Sequence, residues 1–421
     1  MKAPSQKLPW KEITRELSFE VELVTPQFGG GSQARSVDLG QWLRPSAVRG
    51  ALRFWWRGLA TSNDIKALAA SEASLFGSAT RAGGFGPGRV STVVQCKPLS
   101  DKDLEDCSFE QGNALNGAYF PASLPTARLL WPGATAQISI RASGIDSDTW
   151  DTVCNAIAAF VVFGGSGART RRAAGAIVFR TENDAAKLGV PWERPEFERW
   201  IMRFATQAKV DLDMFSLSRT DAVYLTRSSS PKGIQAQTEI LSAWREIRQD
   251  RDHPWGWKGA SQWGRTRWPE ADARRLIRKT FAVWADGTTH EPSARNGGRA
   301  PRSHLGLPIG FKFKDDQLPG HTHPTRGALK SPEPPRTELV PVAGVDRDRY
   351  ASPVLLAVAR CKVGHIGVIW VTSSLLAASD SVRFLDSQQT LSPGPWSATR
   401  ERLTNQLSKN DALKRLHPDR E

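Results

Sequence analysis

The chain has 421 residues, enough for roughly two or three domains of ordinary size, and 39% of them are hydrophobic. This apolar share is sufficient for a buried core and excludes an intrinsically disordered chain. Lysine and arginine total 57 against 43 aspartates and glutamates, which gives a net charge of +14. A surplus of this size predicts a polyanionic partner, and both nucleic acid and an anionic membrane surface have the required charge.

A membrane location is the weaker interpretation of this charge. The longest apolar runs, residues 157–163 and 354–359, are far shorter than the roughly 20 residues that a bilayer span requires. Residues 1–17 contain no continuous apolar segment of the kind found in secretory signals. We therefore expect a cytoplasmic protein.

The cysteines and histidines do not favour a metal site. The four cysteines form no CxxC pair, which argues against a zinc site or a disulfide framework. His321 and His323 form an HxH motif in a loop rich in proline and glycine, with His304 nearby in sequence. No carboxylate or cysteine accompanies them at ligand spacing, so we expect no cofactor.

Hydrophobic periodicity gives the order of elements in the first half of the chain. Alternation predicts a strand at 17–24, which is followed by three consecutive glycines at 29–31. The pattern then predicts, in chain order, a helix at 45–60, a helix at 68–76, a strand at 89–96, a strand at 134–142, a helix at 148–163 and a strand at 175–180. The order strand, helix, strand, strand, helix, strand is the ferredoxin-like arrangement, and RRM proteins use the exposed face of such a sheet to bind RNA.

Beyond residue 187 the composition changes. Residues 191–280 are rich in tryptophan, arginine and helix-forming residues, and residues 286–303 and 314–338 have the composition of long loops around a strand within 305–313. A hairpin is predicted at 353–359 and 365–373, and a polar helix at 397–415.

The helix at 45–60 carries a row of arginines. Arg49, Arg53 and Arg57 are spaced by four and therefore lie along one face, and no acidic residue lies four positions away to neutralise them. Planar guanidinium groups bind phosphate bidentately, so we predict that this face, together with Arg44 at the head of the helix, contacts RNA. A solvated basic face is the alternative.

The loop at 164–175 has the sequence GGSGARTRRAAG. Glycines let the backbone approach a ligand closely, and the N–H groups of such loops form anion-binding nests. The loop lacks the Gly-Lys-Ser/Thr of a Walker A motif, and its position after a helix and before a strand excludes a Rossmann fingerprint. A simple turn is the alternative to RNA binding. We predict that the loop contacts RNA through Gly165, Gly167, Arg169, Arg171 and Arg172, and that its three arginines share one groove with those at 49, 53 and 57.

A third segment, residues 244–279, interleaves five tryptophans with ten basic and five acidic residues. Tryptophan and arginine together are the pairing that stacks on bases and contacts phosphates. A helical insertion whose tryptophans pack internally has the same composition, so the pattern does not choose between the two.

Catalytic motifs are scarce. The sequence contains no GxSxG elbow, HExxH motif or kinase loop. A metal-independent endoribonuclease, which is the alternative to RNA binding, would need a residue such as Asp38 or His253 as acid or base. No histidine or tyrosine lies within the arginine helix or the glycine loop, so we expect that the chain is not an enzyme.

Together these motifs resemble the RAMP superfamily, and within it the RAMP subunits of the type III-B CRISPR–Cas (Cmr) effector complex, the first-numbered subunit most of all. The residues that carry the resemblance are Thr25-Pro26 with residues 29–31, Arg44-Pro45-Ser46, Arg49-Gly50, residues 53–57, Glu72, Leu75-Phe76-Gly77, Gly165, residues 167–172, Gly175, and residues 267–270, 305–308 and 351–353.

The resemblance implies an α+β fold of two ferredoxin-like (RRM-type) domains with helical and loop insertions, at residues 1–187 and 188–421. It also implies a non-catalytic subunit of an antiviral complex that contacts the crRNA 3′ region, captures single-stranded target RNA and binds other Cmr RAMP subunits. In such complexes target cleavage belongs to the backbone RAMP subunit, and cyclic-nucleotide or DNase chemistry to the large subunit. The tail beyond residue 375 carries no motif of the family.

Overall fold

The computed structural model describes most of the chain. The described residues are 14–33, 36–59, 64–78, 86–106, 128–207, 222–250, 298–306, 309–312, 336–342, 351–374, 379–384 and 390–417, with Leu115, Ala118, Trp268 and Leu376. Several predictions fall outside them, namely those on His253, His321, His323, most of the segment 244–279 and most of the loops at 286–303 and 314–338.

Helices and strands are both present in each half of the described chain. The first half contains β1 (Thr14–Leu23), β2 (Gln27–Phe28), α1 (Pro45–Leu59), α2 (Ile65–Phe76), β3 (Val90–Cys96), β4 (Leu104–Asp106), β5 (Arg128–Leu130), β6 (Thr135–Ser143), α3 (Ser147–Phe163), β7 (Ile177–Phe179) and α4 (Glu182–Ala186). The second half contains α5 (Arg194–Gln207), β8 (Val223–Thr226), α6 (Gly233–Gln249), β9 (Ile309–Lys312), β10 (Arg336–Pro341), β11 (Val354–Cys361), β12 (Gly364–Val371), β13 (Val382–Phe384), β14 (Thr390–Leu391), α7 (Trp396–Ser408) and β15 (Leu413–Arg415). The α+β class predicted from the sequence is confirmed.

The first sheet has the strand order β3-β6-β1-β7, with every neighbouring pair antiparallel. In β1 the side chains of Phe19, Val21 and Leu23 are buried, while the intervening Glu20 and Glu22 are partly exposed. This alternation is the physical basis of the predicted strand, because successive side chains of a strand point to opposite faces. Along the chain the sheet strands and the two long helices follow the predicted order β1, α1, β3, β6, α3, β7.

The helix α3 has the boundaries that the sequence predicts. Its N-cap is Asp146, whose side chain accepts a hydrogen bond from the backbone N–H of Thr149, and Gly164 follows its last residue. The N-cap bond satisfies one of the free N–H groups of the first turn, and substitution of such a cap typically costs about 1 kcal/mol.

The second sheet repeats the connectivity of the first. Its strand order is β11-β12-β8-β15, again antiparallel, and the chain visits β8, α6, β11, β12, α7 and β15 in turn. Between α6 and β11 the chain contributes β9 and β10 to a separate sheet of order β14-β13-β10-β9. The predicted hairpin is confirmed as β11 and β12, which pair from Val354–Val371 to Cys361–Gly364.

The predicted C-terminal helix at 397–415 is too long. It ends at Ser408, and Leu413–Arg415 instead form β15, which pairs with β8. Asn410 turns the chain by accepting a hydrogen bond from the N–H of Ala412, and Leu413 is buried. Pairing satisfies the backbone groups of β8 that would otherwise form an open edge, a long-range gain that helical periodicity does not reveal.

The two sheets and their helices share one core. Trp55 of α1 and Phe163 of α3 pack against Trp370 of β12, with ring centroids 6.2 and 5.2 Å from that of Trp370. Several of the described tryptophans are core residues, since Trp42, Trp55, Trp56, Trp244, Trp268 and Trp370 are buried. In the part of the chain that the structure describes, no helix is both long and apolar enough to cross a bilayer.

Candidate nucleic-acid interface

Two glycine-rich loops pack directly against each other at the end of β1. One contains residues 29–31 and the other contains Gly167. The N–H of Ala168 donates to the carbonyl of Phe28 over 2.7 Å, and the φ angle of Gly167 is +85°. A Cβ atom on Gly167 would lie 2.7 Å from that same carbonyl oxygen, so this close approach requires glycine.

The packed loops form an open pocket with a volume of about 410 Å³. It is lined by Phe28, Gly29, Gly30, Gly31, Ser32, Gln33, Arg44, Gly167 and Ala168. Among the described residues the lining contains one ionisable side chain, that of Arg44, and no carboxylate. The N–H groups of Gly31 and Ala168 already donate to the carbonyls of Ser36 and Phe28, so the guanidinium of Arg44 is the lining group that suits a phosphate oxygen.

Arg44 lies at the N-terminal end of α1. Its carbonyl accepts the first helical hydrogen bonds, from the N–H groups of Ala47 and Val48. Its Nε atom is buried and has no hydrogen-bond partner in the described structure. The positive end of the helix dipole adds to the guanidinium charge here, and both favour an anion.

A buried glutamine shapes this pocket. The side-chain amide of Gln27 donates to the carbonyls of Gly29 and Trp42, at 3.0 and 3.1 Å, and the hydroxyl of Ser166 donates to the same Trp42 carbonyl at 3.2 Å. These bonds tie both glycine loops to the segment that leads into α1. The sequence analysis missed Gln27, because a polar residue between a proline and three glycines looks like part of an exposed loop.

The arginine row of α1 is not free of acidic partners, and that part of the reasoning was wrong. Glu72 of α2 pairs with Arg53 at 3.0 Å and with Arg57 at 2.8 Å. Arg53 also donates to the carbonyl of Gly77. These two arginines therefore join α1 to α2, whereas Arg49 in the same row is exposed and forms no ion pair within the described residues. Glu72 lies on a separate helix, so the i, i+4 rule could not reveal it.

The three arginines of the glycine loop have different environments. Arg169 is exposed and adopts a left-handed conformation with φ of +62°. Arg171 donates to the carbonyl of Ser352, and the guanidinium of Arg172 lies 5.0 Å from the ring centroid of Trp244. Loss of hydration lowers the pKa of Arg171 to about 10 and also lowers the pKa of Arg172.

None of the six arginines predicted to share one groove lines this pocket. Among the predicted site residues, Arg44 and Gly167 line the pocket. Gly165 packs against the backbone of Gly175, whose carbonyl oxygen would lie 2.7 Å from a Cβ at position 165. Arg171 and Arg172 instead join the loop to the second sheet, where the N–H of Ala173 donates to the carbonyl of Leu356. The RNA contacts assigned to these residues remain predictions.

Asp38, which was considered for catalysis, and His304, which was noted beside the HxH motif, have structural partners. The carboxylate of Asp38 accepts hydrogen bonds from the N–H groups of Gly40 and Gln41, which closes a turn. His304 is buried between the Ser374 hydroxyl and the Gly394 carbonyl, and burial lowers its pKa. The described part of the chain contains no group of three or more metal-ligating side chains.

A family model matches the segment of the chain that contains this pocket. The family model of the RAMP superfamily matches residues 20–178. No curated protein matches the sequence.

Three solved structures are similar along most of the chain. The crystal structure of apo Cmr1 from Pyrococcus furiosus is 15% identical, with a TM-score of 0.46, and the match covers 95% of this chain and 97% of that one. A cryo-EM structure of the type III-B Cmr-beta bound to cognate target RNA and AMPPnP, in the presence of ssDNA, has a TM-score of 0.46 at 10% identity, covering 93% of this chain and 98% of its own. A second cryo-EM structure, of the type III-B Cmr-beta bound to cognate target RNA, has a TM-score of 0.45 at 10% identity, and the match covers 94% of this chain and 99% of that one. The predicted resemblance to the RAMP superfamily is confirmed by the family model, and the matched residues 20–178 contain both glycine loops and the arginine helix.

Proposed function

We propose that the chain is a non-catalytic, RNA-binding subunit of a type III-B CRISPR effector complex. The observation that carries the proposal is the pocket between the two glycine loops, which places the guanidinium of Arg44 beside glycine backbone within the residues that the RAMP family model matches. The partners in this proposal are the crRNA 3′ region, single-stranded target RNA and neighbouring Cmr RAMP subunits. The motifs quoted from the sequence support the choice of complex, and the net charge of +14 supports a nucleic-acid ligand.

The proposal includes two ferredoxin-like domains, at 1–187 and 188–421. Its support is the repeated order of strand, helix, strand, strand, helix, strand, together with the equivalent strand orders β3-β6-β1-β7 and β11-β12-β8-β15. The third sheet then belongs to an insertion in the second domain. The large shared core between the sheets would keep the domains in one fixed arrangement, so that the glycine loops present a preformed surface.

The RNA contacts follow from the chemistry of the pocket. A phosphate oxygen accepts hydrogen bonds from the guanidinium of Arg44, which also neutralises its charge. The exposed Arg49 and Arg169 extend the positive surface for neighbouring phosphates. Such contacts position a strand without selecting its sequence, as expected for a subunit of a complex in which base pairing to a guide reads the sequence.

The alternative, a metal-independent endoribonuclease, needs a free acid or base beside the bound phosphate. Asp38 is the described residue that the sequence suggested for this role, and its carboxylate holds a turn. No observation on the described residues favours cleavage over binding.

Electrophoretic mobility shifts with a salt titration test the proposal. Labelled single-stranded RNA and duplex DNA are incubated with the full chain, with and without EDTA, and the Arg44→Ala variant is compared with Arg203→Ala, which removes an exposed arginine of α5. If Arg44, Arg49 and Arg169 each contact one phosphate, the slope of log affinity against log salt is about −2, and Arg44→Ala makes it shallower by about 0.7.

Intact, shifted RNA with affinity reduced by Arg44→Ala and unchanged by Arg203→Ala supports the proposal. Cleavage of the RNA would favour the ribonuclease alternative. Equal RNA affinity in Arg44→Ala and in the unmodified chain would contradict a role of the pocket in RNA binding.

A further inference from the structure

The strand β3 lies at the edge of the first sheet. It pairs with β6 on one side, and the order β3-β6-β1-β7 contains no described strand on its other side. At the two ends of this pairing, the N–H of Lys97 donates to the carbonyl of Thr135, and the N–H of Ser143 donates to the carbonyl of Arg89. Because bonded residues alternate along an antiparallel pair, the odd-numbered residues of β3 are those that bond to β6.

The even-numbered residues of β3 therefore direct their backbone groups to the open side of the strand. The carbonyl of Val94 accepts a hydrogen bond there from the side-chain amide of Gln41, over 3.3 Å. The other groups on this side are the N–H and carbonyl of Val90, the N–H and carbonyl of Thr92, and the N–H of Val94. Within the described part of the chain, none of these groups has a hydrogen-bond partner. A row of unpaired backbone groups is a template for a further strand.

The strand lacks the features that usually protect an edge from such pairing. Natural edge strands carry charged residues, prolines or bulges. The sequence of β3 is VSTVVQC, in which four residues are β-branched and none is charged, proline or glycine. Val93, in the middle of the strand, is 54% exposed. A strand added to β3 would lie about 4.8 Å away and would cover part of this valine.

Basic residues flank the uncharged strand at both ends. Arg89 and Lys97 are exposed, and neither forms an ion pair among the residues that the structure describes. Arg89 donates instead to neutral acceptors, the carbonyl of Gly144 and the hydroxyl of Ser74. A segment that is uncharged in its middle and acidic at both ends complements this edge, whichever direction it runs.

A second copy of this chain fits the edge poorly. Antiparallel pairing of two copies about Thr92 would place Lys97 of one copy opposite Pro87 of the other, two positions from Arg89. Like charges would then meet at both ends of the joint, and each chain carries a net charge of +14. The charges thus favour a different, acidic partner.

We propose that the open edge of β3 docks an extended segment of a partner protein, which adds a strand to the first sheet. The segment has uncharged, β-branched residues opposite residues 90–94 and acidic residues at its ends. Main-chain hydrogen bonds supply the affinity in this mode of recognition, and side chains supply the specificity. The edge is separate from the Arg44 pocket, and only the identification of the partner as a neighbouring Cmr subunit rests on the proposed function.

Fluorescence anisotropy of labelled synthetic peptides with the full chain tests the proposal. The probe is a short peptide of alternating valine and threonine with glutamates at both ends. Two control peptides keep the same length, one with lysines in place of the glutamates and one with methylated backbone amides, which cannot donate hydrogen bonds.

Three variants of the chain locate the binding site of the peptide. Thr92→Pro removes an N–H on the open side and leaves the ladder to β6 intact, since proline is tolerated at such edge positions. Lys97→Glu reverses the charge at one end of the edge, and it carries the test if Thr92→Pro fails to fold. Lys66→Glu is the matched control, because it reverses the charge of an exposed lysine on α2.

The glutamate-ended peptide is expected to bind at least about tenfold more tightly than its methylated form, because methylation removes several hydrogen bonds. Thr92→Pro should raise its Kd by about tenfold and Lys97→Glu by about threefold at low salt, whereas Lys66→Glu should leave the Kd unchanged. Absence of binding, equal binding of the methylated peptide, or an unchanged Kd in Lys97→Glu overturns the proposal. Equal binding of the lysine-ended peptide overturns the acidic character of the partner.

Hydrogen exchange and sedimentation test the other occupants of the edge. Slow exchange of the amides at positions 90, 92 and 94 in the free chain would show that the chain itself covers the edge, which contradicts the proposal. Self-association that Thr92→Pro abolishes would identify a second copy as the occupant, with the same consequence. Arg44→Ala separates this proposal from the proposed function, because that variant should bind the peptide normally whether or not it binds RNA.

Discussion

Glu72→Gln is expected to destabilise the first sheet and its helices far more than the loss of a surface charge would. The substitution keeps the size of the side chain but removes the negative charge between Arg53 and Arg57. The Glu72 side chain is 13% exposed and each arginine side chain 30%. Removing one partner of a fully buried pair costs about 3–5 kcal/mol, and an exposed pair contributes about 0.2–1 kcal/mol. This intermediate burial, with two cations left uncompensated, predicts a loss of about 2 kcal/mol.

Urea denaturation followed by circular dichroism measures this loss, and Glu16→Gln is the matched control. Glu16 pairs with Arg141 at 3.0 Å, but both side chains are more than half exposed, at 54% and 61%. Its substitution should therefore cost less than about 1 kcal/mol. Adding Arg57→Ala to Glu72→Gln should cost less than the sum of the two single changes, because the two residues act on one interaction. If Glu72→Gln costs no more than Glu16→Gln, the assignment of Arg53 and Arg57 to the joint between α1 and α2 is refuted.

Three further predictions concern the loop, the shared core and pH. Gly167→Ala should lower RNA affinity and stability more than Gly189→Ala. Both glycines have positive φ, but of the two only Gly167 would place a Cβ within 4 Å of other atoms. Electrophoretic mobility shifts measure the RNA affinity, and urea denaturation measures the stability. Trp370→Ala should cost about 3–5 kcal/mol in urea and loosen both sheets together, whereas independent unfolding of the second sheet in hydrogen exchange would contradict the shared core. Burial lowers the pKa of His304 and His365, so the unfolded chain binds more protons than the folded chain as pH falls through about 6.5. The free energy of unfolding should therefore decrease in this pH range. A His304→Gln/His365→Gln variant with the same pH profile as the unmodified chain would contradict this prediction.

Local patterns predicted much of the fold. The apolar alternation of β1, the apolar face of α3 and the hairpin of β11 and β12 are each encoded within a short segment, so hydrophobic periodicity was sufficient to predict them. The strand β15 was missed because the strand with which it pairs, β8, lies almost 200 residues earlier in the sequence.

The candidate site was predicted less completely, since its contacts are tertiary. Arg44 and Gly167 do line one pocket, and their types indicated an anion site before their positions were known. Glu72 reaches the arginine row only because α2 packs on α1, and the contact of Arg172 with Trp244 depends on how the two halves of the chain meet. Spacing along a helix carries information about neighbours within that helix and none about charges that another element brings.

Photo-crosslinking tests the central claim most directly. Single-stranded RNA containing 4-thiouridine is crosslinked to the full chain, and mass spectrometry then identifies the crosslinked peptides. The account predicts crosslinks to peptides that contain residues 28–33, Arg44 and residues 167–169, and their loss in Arg44→Ala but not in Arg203→Ala. Crosslinks confined to other parts of the chain, and unchanged in Arg44→Ala, would contradict it.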